Sequence, residues 1–120
     1  MNYSSWLEKE SRTTPGVTFL LAKMSFGRRV ELTRRLREIA QKVEFLEAGE
    51  TREKLDAALL TSEIDRMYVE WGLKEVRGLE LDGEPATPES LGAIGPEALF
   101  REAVDAVKTE CGLTEAERKN

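Results

Sequence analysis

Side chains that could perform catalysis are scarce in this sequence. Its 120 residues include no histidine and a single cysteine, which excludes nucleophile pairs and metal sites that depend on histidine or on several thiolates. Two acidic pairs, Glu8 with Glu10 and Glu80 with Asp82, have the residue types of a general acid and base. With 23 acidic residues in the chain, however, such pairs arise by chance, and neither lies in an apolar stretch that would shift a pKa. We therefore predict no enzymatic activity and no catalytic, cofactor-binding or metal-binding residues.

Basic residues are concentrated in the first third of the chain. The net charge is −5, yet residues 23–42 carry seven basic and two acidic side chains. This asymmetry favours electrostatic attraction to an acidic protein surface, either of a partner or of another copy. The basic residues predicted to bind such a surface are Arg28, Arg34, Arg35 and Arg37. Binding of nucleic acid phosphates is the alternative, but no aromatic residues alternate with the arginines and the net charge is negative, so nucleic acid is the weaker candidate.

Two large aromatic residues stand in an otherwise polar N-terminal segment. Residues 1–14 read as a flexible arm, and Tyr3 and Trp6 are its aromatic side chains. Such residues are suited to anchoring in the groove of a partner. Folding back onto the chain's own core is an equally good interpretation. We include Tyr3 and Trp6 among the predicted partner-binding residues.

Two long helices are the strongest structural prediction. Ser25 is suited to cap the start of the first helix, and Gly49 is suited to end it. Thr51 is suited to cap the start of the second helix, and Gly72 is suited to end it. Each helix has an apolar stripe with alternating spacings of three and four residues. The stripes are Leu32, Leu36, Ile39, Val43 and Leu46 in the first helix, and Ala57, Leu60, Ile64, Met67 and Trp71 in the second. The short link predicts an antiparallel hairpin, and we expect residues 26–71 to form the core that stabilises the protein.

Shorter elements flank this hairpin. Residues 17–22 and about 76–81 read as short strands, and whether they pair with each other is left open. Thr87-Pro88-Glu89 opens a short helix, and Gly95-Pro96 opens a last helix that ends near Cys111. Cys111 lies on the apolar stripe of that helix and is predicted to be a small buried hydrophobe. The predicted fold is α+β and mainly helical, with one small helical domain over residues 15–113 and a polar tail over 114–120.

The sequence contains no recognisable export or membrane signal. Glu8, Lys9 and Glu10 stand where a signal peptide would be apolar. The longest apolar stretch, residues 17–22, is far shorter than the roughly 20 residues of a membrane span. We expect a soluble cytoplasmic protein without a membrane partner.

The order of several motifs resembles a known protein family. An extended segment follows Pro15-Gly16 and precedes the basic helix, after which WGL stands at residues 71–73 and GLELDG at 78–83. A segment with TPE at residues 87–89, a final helix and GLTEAERKN at 112–120 complete the pattern. In this order, over roughly residues 13–120, the chain resembles the small tail assembly chaperones of long-tailed bacteriophages and prophages.

The resemblance implies a role in assembly within a bacterial host. Members of that family bind the long, helix-forming and aggregation-prone tape measure protein before the tail tube polymerises around it, and they are absent from the finished particle. The tape measure protein, the tail tube protein and a second copy of the chain are therefore the expected partners, without a cofactor or a small-molecule substrate. Two other classes stay open: a nucleic-acid-binding regulator that uses the arginine-rich helix, and a structural or adaptor subunit of a prophage particle.

Overall fold

The computed structural model describes residues 1–112, and the predicted polar tail at 114–120 lies outside them. The chain divides into two compact units. One, the sheet unit, contains residues 1–24 and 68–112 of the described chain, and the other, the hairpin unit, contains residues 25–67. The fold is α+β and mainly helical, as predicted. The boundary that the sequence predicts at residue 15 coincides with the edge of neither unit.

A three-stranded antiparallel sheet organises the sheet unit. Its strands are β1 (Trp6–Glu10), β2 (Thr18–Ala22) and β3 (Leu73–Arg77), in the order β1-β2-β3. The register places Trp6 opposite Ala22 and Thr18 opposite Arg77. The two strands that the sequence predicts therefore do pair, although the second begins at Leu73, directly after the preceding helix.

The N-terminal segment is not the flexible arm that the sequence predicts, because it contains β1. An edge strand takes backbone partners on one side only and tolerates charged side chains, so a polar composition does not prevent pairing. The Glu8 carboxylate accepts a hydrogen bond from Nη1 of Arg77 on β3 at 2.9 Å. This contact crosses β2 and ties the two outer strands of the sheet together.

A tight turn and two helices complete the sheet unit. Strands β4 (Glu80–Leu81) and β5 (Glu84–Pro85) form a separate two-stranded ladder. The turn between them has positive φ at Asp82 (53°) and Gly83 (82°), which is the geometry that an Asp-Gly dipeptide favours in hairpins. Helix α3 in this unit spans Pro88–Ile94 and begins at a Thr87 capping box, and the last helix spans Glu97–Glu110.

The fully buried core lies in the sheet unit. The last helix packs on β2, and the short helix packs on β3. The largest fully buried side chains are Val17, Phe19, Leu21, Val69, Leu91, Leu99 and Val107. Cys111 is also buried, at 3% exposure, as predicted for a small hydrophobe.

Two long helices form the hairpin unit, and the second of them continues beyond it. In chain order they are α1 (Phe26–Glu47) and α2 (Thr51–Gly72), so the short and last helices of the sheet unit are α3 and α4. The predicted cap is confirmed, since the Ser25 hydroxyl accepts a hydrogen bond from the backbone N–H of Arg28 at 3.2 Å. The last turn of α2 belongs to the sheet unit, where Tyr68 and Val69 are buried.

The apolar stripes of the hairpin unit are only partly covered. Among residues 25–67, Leu32 and Ala57 are buried. The other stripe residues of this unit are half-buried: Leu36, Ile39, Val43, Leu46, Leu60, Ile64 and Met67. The expectation that the hairpin holds the stabilising core is therefore wrong. Two helices cover each other along one line of contact, and the flanks of both stripes stay within reach of water.

Candidate protein-binding surface

Large apolar side chains are exposed along both helices of the hairpin unit. Phe26 is 87% exposed and Phe45 80%, and Val30 shares the outer side of α1 with them. On α2, Leu55 and Leu59 are 64% and 68% exposed and lie one helical turn apart. Scattered exposed apolar residues are ordinary in soluble proteins, but five of them within 43 residues of one small unit make its surface the candidate binding surface of the described chain.

An open groove lies between the two helices, towards the link that joins them. Its apolar lining is Phe45 and Leu46 of α1 with Leu60 of α2. The polar residues that line it, Glu38, Gln41 and Lys42, lie on α1, and the volume of the groove is about 410 Å³. A mainly apolar groove with a few polar groups is suited to one side of an amphipathic helix.

The four predicted arginines differ in their surroundings. Arg34 and Arg37 are exposed on the outer side of α1. Arg35 forms an exposed ion pair with Glu31 one turn earlier, with Nη2 2.9 Å from Oε1. Arg28 is half-buried, because it lies one turn before Leu32 at the edge of the apolar stripe. Three of the four arginines are therefore placed where a partner could reach the guanidinium group.

The predicted aromatic anchors belong to the sheet unit instead. Tyr3 is 64% exposed, and Nζ of Lys23 lies 4.7 Å from the centre of its ring. Trp6 is half-buried on β1, and Nζ of Lys74 lies 5.6 Å from its ring centre. For Trp6 the structure matches the interpretation of folding back onto the chain. Tyr3 keeps a surface that a partner could contact.

One carboxylate in the described chain has a shifted pKa, and its role is structural. Burial acts to raise the pKa of Glu102 on α4, but hydrogen bonds to the ionised form outweigh it and lower the pKa below its ordinary value of 4.5. The donors are the hydroxyls of Ser11 (2.6 Å) and Thr13 (2.9 Å) and the backbone N–H of Arg12 (2.7 Å). Glu102 thus fastens the β1–β2 connection to α4.

Other features of a functional centre are scarce within residues 1–112. That range holds no group of three or more acidic, cysteine or histidine side chains able to bind a metal ion. None of its helices is long and apolar enough to cross a bilayer. Comparison with protein families, with curated proteins and with solved structures found no match.

The apolar part of the surface was missed by reasoning from the sequence. Phe26, Phe45 and Leu55 lie off the main stripes, and Leu59 reads as a widening of the buried face of its helix. The available signal was the position of Phe26 and Phe45 away from the apolar stripe, on a helix face whose residues are mostly charged or polar. Phe45 follows Gln41 and Lys42 by one turn, so no apolar residue one turn earlier covers it, whereas Phe26 has Val30 one turn later.

Proposed function

We propose that this chain is a non-enzymatic tail assembly chaperone of long-tailed phages or prophages, acting in the cytoplasm of a bacterial host. Its main partner is the tape measure protein, which it binds through the hairpin unit, and the tail tube protein is a second partner. The exposure of five large apolar side chains on that unit is the observation that carries the proposal. The motif order described above supplies the identity of the partner.

The geometry of the hairpin unit suits a helical partner. A helix of 22 residues, the length of α1, is about 33 Å long, so a partner helix lying beside it has room for several turns. The groove at Phe45, Leu46 and Leu60 receives the apolar residues of that helix. Arg34 and Arg37 attract acidic residues on its flank, and the attraction falls as salt rises. Covering the partner's apolar side in this way prevents it from aggregating before the tube forms.

Co-expression with the tape measure protein of the same genome tests the proposal. The chain should raise the soluble fraction of the tape measure protein, and the two should copurify. Phe45→Ser should weaken copurification by about tenfold or more, since an aromatic side chain at the centre of an interface is a frequent hot spot. Ile94→Ser is the matched control, because Ile94 is also exposed (57%) but lies on α3 of the sheet unit.

Three outcomes would contradict the proposal. The first is equal insolubility of the tape measure protein with and without the chain. The second is a loss of copurification with Ile94→Ser as large as with Phe45→Ser. The third is the presence of the chain in purified particles, which indicates a structural or adaptor subunit. A salt-dependent shift of labelled DNA or RNA at low micromolar protein, without binding to the tape measure protein, would favour the nucleic-acid-binding regulator instead.

A further inference from the structure

Strand β1 is less embedded in the sheet unit than its neighbour β2. It packs chiefly against β2, whereas β2 also packs against β3 and α4. Glu8 and Glu10 of β1 are exposed, and its other three side chains are half-buried. By contrast, Phe19, Leu20 and Leu21 at the centre of β2 are at most 3% exposed. An edge strand that buries little side-chain surface has a low local stability of its own.

Two side-chain contacts of β1 lie at the surface of the sheet unit. Glu8 pairs with Arg77, and the two side chains are 53% and 51% exposed. The ammonium group of Lys74 lies over the half-buried ring of Trp6. Ion pairs and cation–π contacts at such exposed positions contribute little free energy. These contacts therefore add little to the backbone ladder that joins β1 to β2.

The connection that follows β1 is held by the Glu102 carboxylate of α4. Its Oε1 accepts hydrogen bonds from the hydroxyls of Ser11 and Thr13, and its Oε2 accepts one from the backbone N–H of Arg12. Ser11 is 6% exposed, and its hydroxyl also accepts a hydrogen bond from the backbone N–H of Thr14 at 3.0 Å. Hydrogen bonds to an ionised group are about twice as strong as neutral ones. The connection is thus folded around Glu102, which ties the N-terminal segment to a helix that β1 does not itself reach through its ladder.

We propose that β1 is a strap that opens while the rest of the sheet unit stays folded, and that Glu102 is the fastener that keeps it closed. Opening breaks the ladder between β1 and β2 and leaves β2 paired with β3 and packed against α4. It uncovers the edge of β2, and the unpaired backbone of such an edge accepts an added strand. The strap therefore controls access to this edge. The proposed function uses the hairpin unit, so the strap does not depend on it.

The alternation of the ladder identifies the amides that report opening. The N–H of Ser11 donates to the carbonyl oxygen of Val17 at 2.8 Å, and in an antiparallel pair the bonded positions recur at every second residue. The N–H groups of Phe19 and Leu21 on β2 therefore face β1, and that of Leu20, between them, faces β3. Opening of β1 alone exposes the first two amides to solvent and leaves the amide of Leu20 protected.

Hydrogen exchange of the full chain, followed by NMR, tests the proposal. Glu102→Gln should accelerate exchange at Phe19 and Leu21 by about tenfold or more, because it removes the charge that strengthens the bonds of the fastener. Exchange at Leu20 should stay unchanged. Glu8→Gln is the matched control: it makes the same chemical change in the exposed ion pair of β1 and should accelerate exchange by less than about threefold.

A cross-strand disulfide provides the rescue. Glu10 and Thr18 lie opposite each other at a position without ladder bonds, where Cα atoms approach to about 4.5 Å and a disulfide fits. Glu102→Gln combined with Glu10→Cys and Thr18→Cys should regain slow exchange when oxidised and lose it when reduced. Ser11→Ala, a milder variant that removes one donor of the fastener, should accelerate the same amides by a smaller factor.

Two outcomes would overturn the proposal. One is equal acceleration at Leu20 and at Val104 of α4, since it would mean that the whole sheet unit opens together. The other is unchanged exchange at Phe19 and Leu21 in Glu102→Gln. Neither outcome bears on copurification with the tape measure protein, so failure of the strap and failure of the proposed function are measured separately.

Discussion

The same truncation, leucine to alanine, should have very different costs in the two units. Leu99 on α4 is 1% exposed, whereas Leu36 on α1 is half-buried. Removing the three carbons of a fully buried leucine loses about 2.4 kcal/mol of transfer free energy, and the cavity that remains adds about 1 kcal/mol or more. We therefore expect Leu99→Ala to lower the free energy of unfolding by about 3–4 kcal/mol.

At Leu36 both contributions are smaller. Part of the Leu36 side chain already contacts water, and water can enter the space left by truncation, so the expected loss is about 1–2 kcal/mol. Urea unfolding followed by circular dichroism measures both losses of free energy. Separate transitions for the two units would be fitted separately. Equal losses at the two positions would refute the reasoning, because they would mean that the hairpin stripe is as well covered as the core of the sheet unit.

Two further predictions concern contacts within the sheet unit. The lowered pKa of Glu102 means that its ionised form stabilises the fold fully above pH 4.5, and that this contribution is lost as the pH falls through the lower pKa of the folded state. Glu102→Gln should therefore destabilise the protein more at pH 7 than at pH 3, and an equal loss in urea melts at both pH values would contradict this. Gly78 has a φ of +81°, and a Cβ there would collide with the backbone oxygen of Gly16. Gly78→Ala should lower the free energy of unfolding by roughly 1 kcal/mol or more. Gly83 has a similar φ but open space around it, so Gly83→Ala should cause a smaller loss in the same thermal melt.

Local signals in the sequence predicted most of the helical structure. Ser25 and Thr87 cap helices where their types and positions indicate. The Asp82-Gly83 turn has the expected conformation. These features depend on a few consecutive residues, so one sequence suffices to recognise them. The strand at Trp6–Glu10 was not predicted because its charged composition is typical of an exposed segment, and only the distant partner β2 makes it a strand.

Only part of the candidate surface could be predicted, because local signals show the type of each residue but not how distant segments pack. Arg34 and Arg37 are exposed, as expected for charged residues off the apolar stripe. The periodicity of Leu36 and Ile39 identified the inner face of α1, but periodicity does not tell how much of that face other residues cover. The exposure of Phe45 and Leu55 likewise depends on packing, and it was visible only once the helices were in place.

The interruption of the sheet unit by the hairpin has a consequence for how the chain folds during synthesis. Strand β2 ends at Ala22, and its partner β3 begins only at Leu73, so the sheet cannot close until the ribosome has made the residues between them. Closing a flexible loop of that length costs about 3.5 kcal/mol of chain entropy. Contacts within the hairpin unit are local in sequence, so we expect this unit to form before the sheet closes. Structure formed between the two strands shortens the flexible length that must be closed, and variants that destabilise α1 or α2 should therefore slow the pairing of β2 with β3.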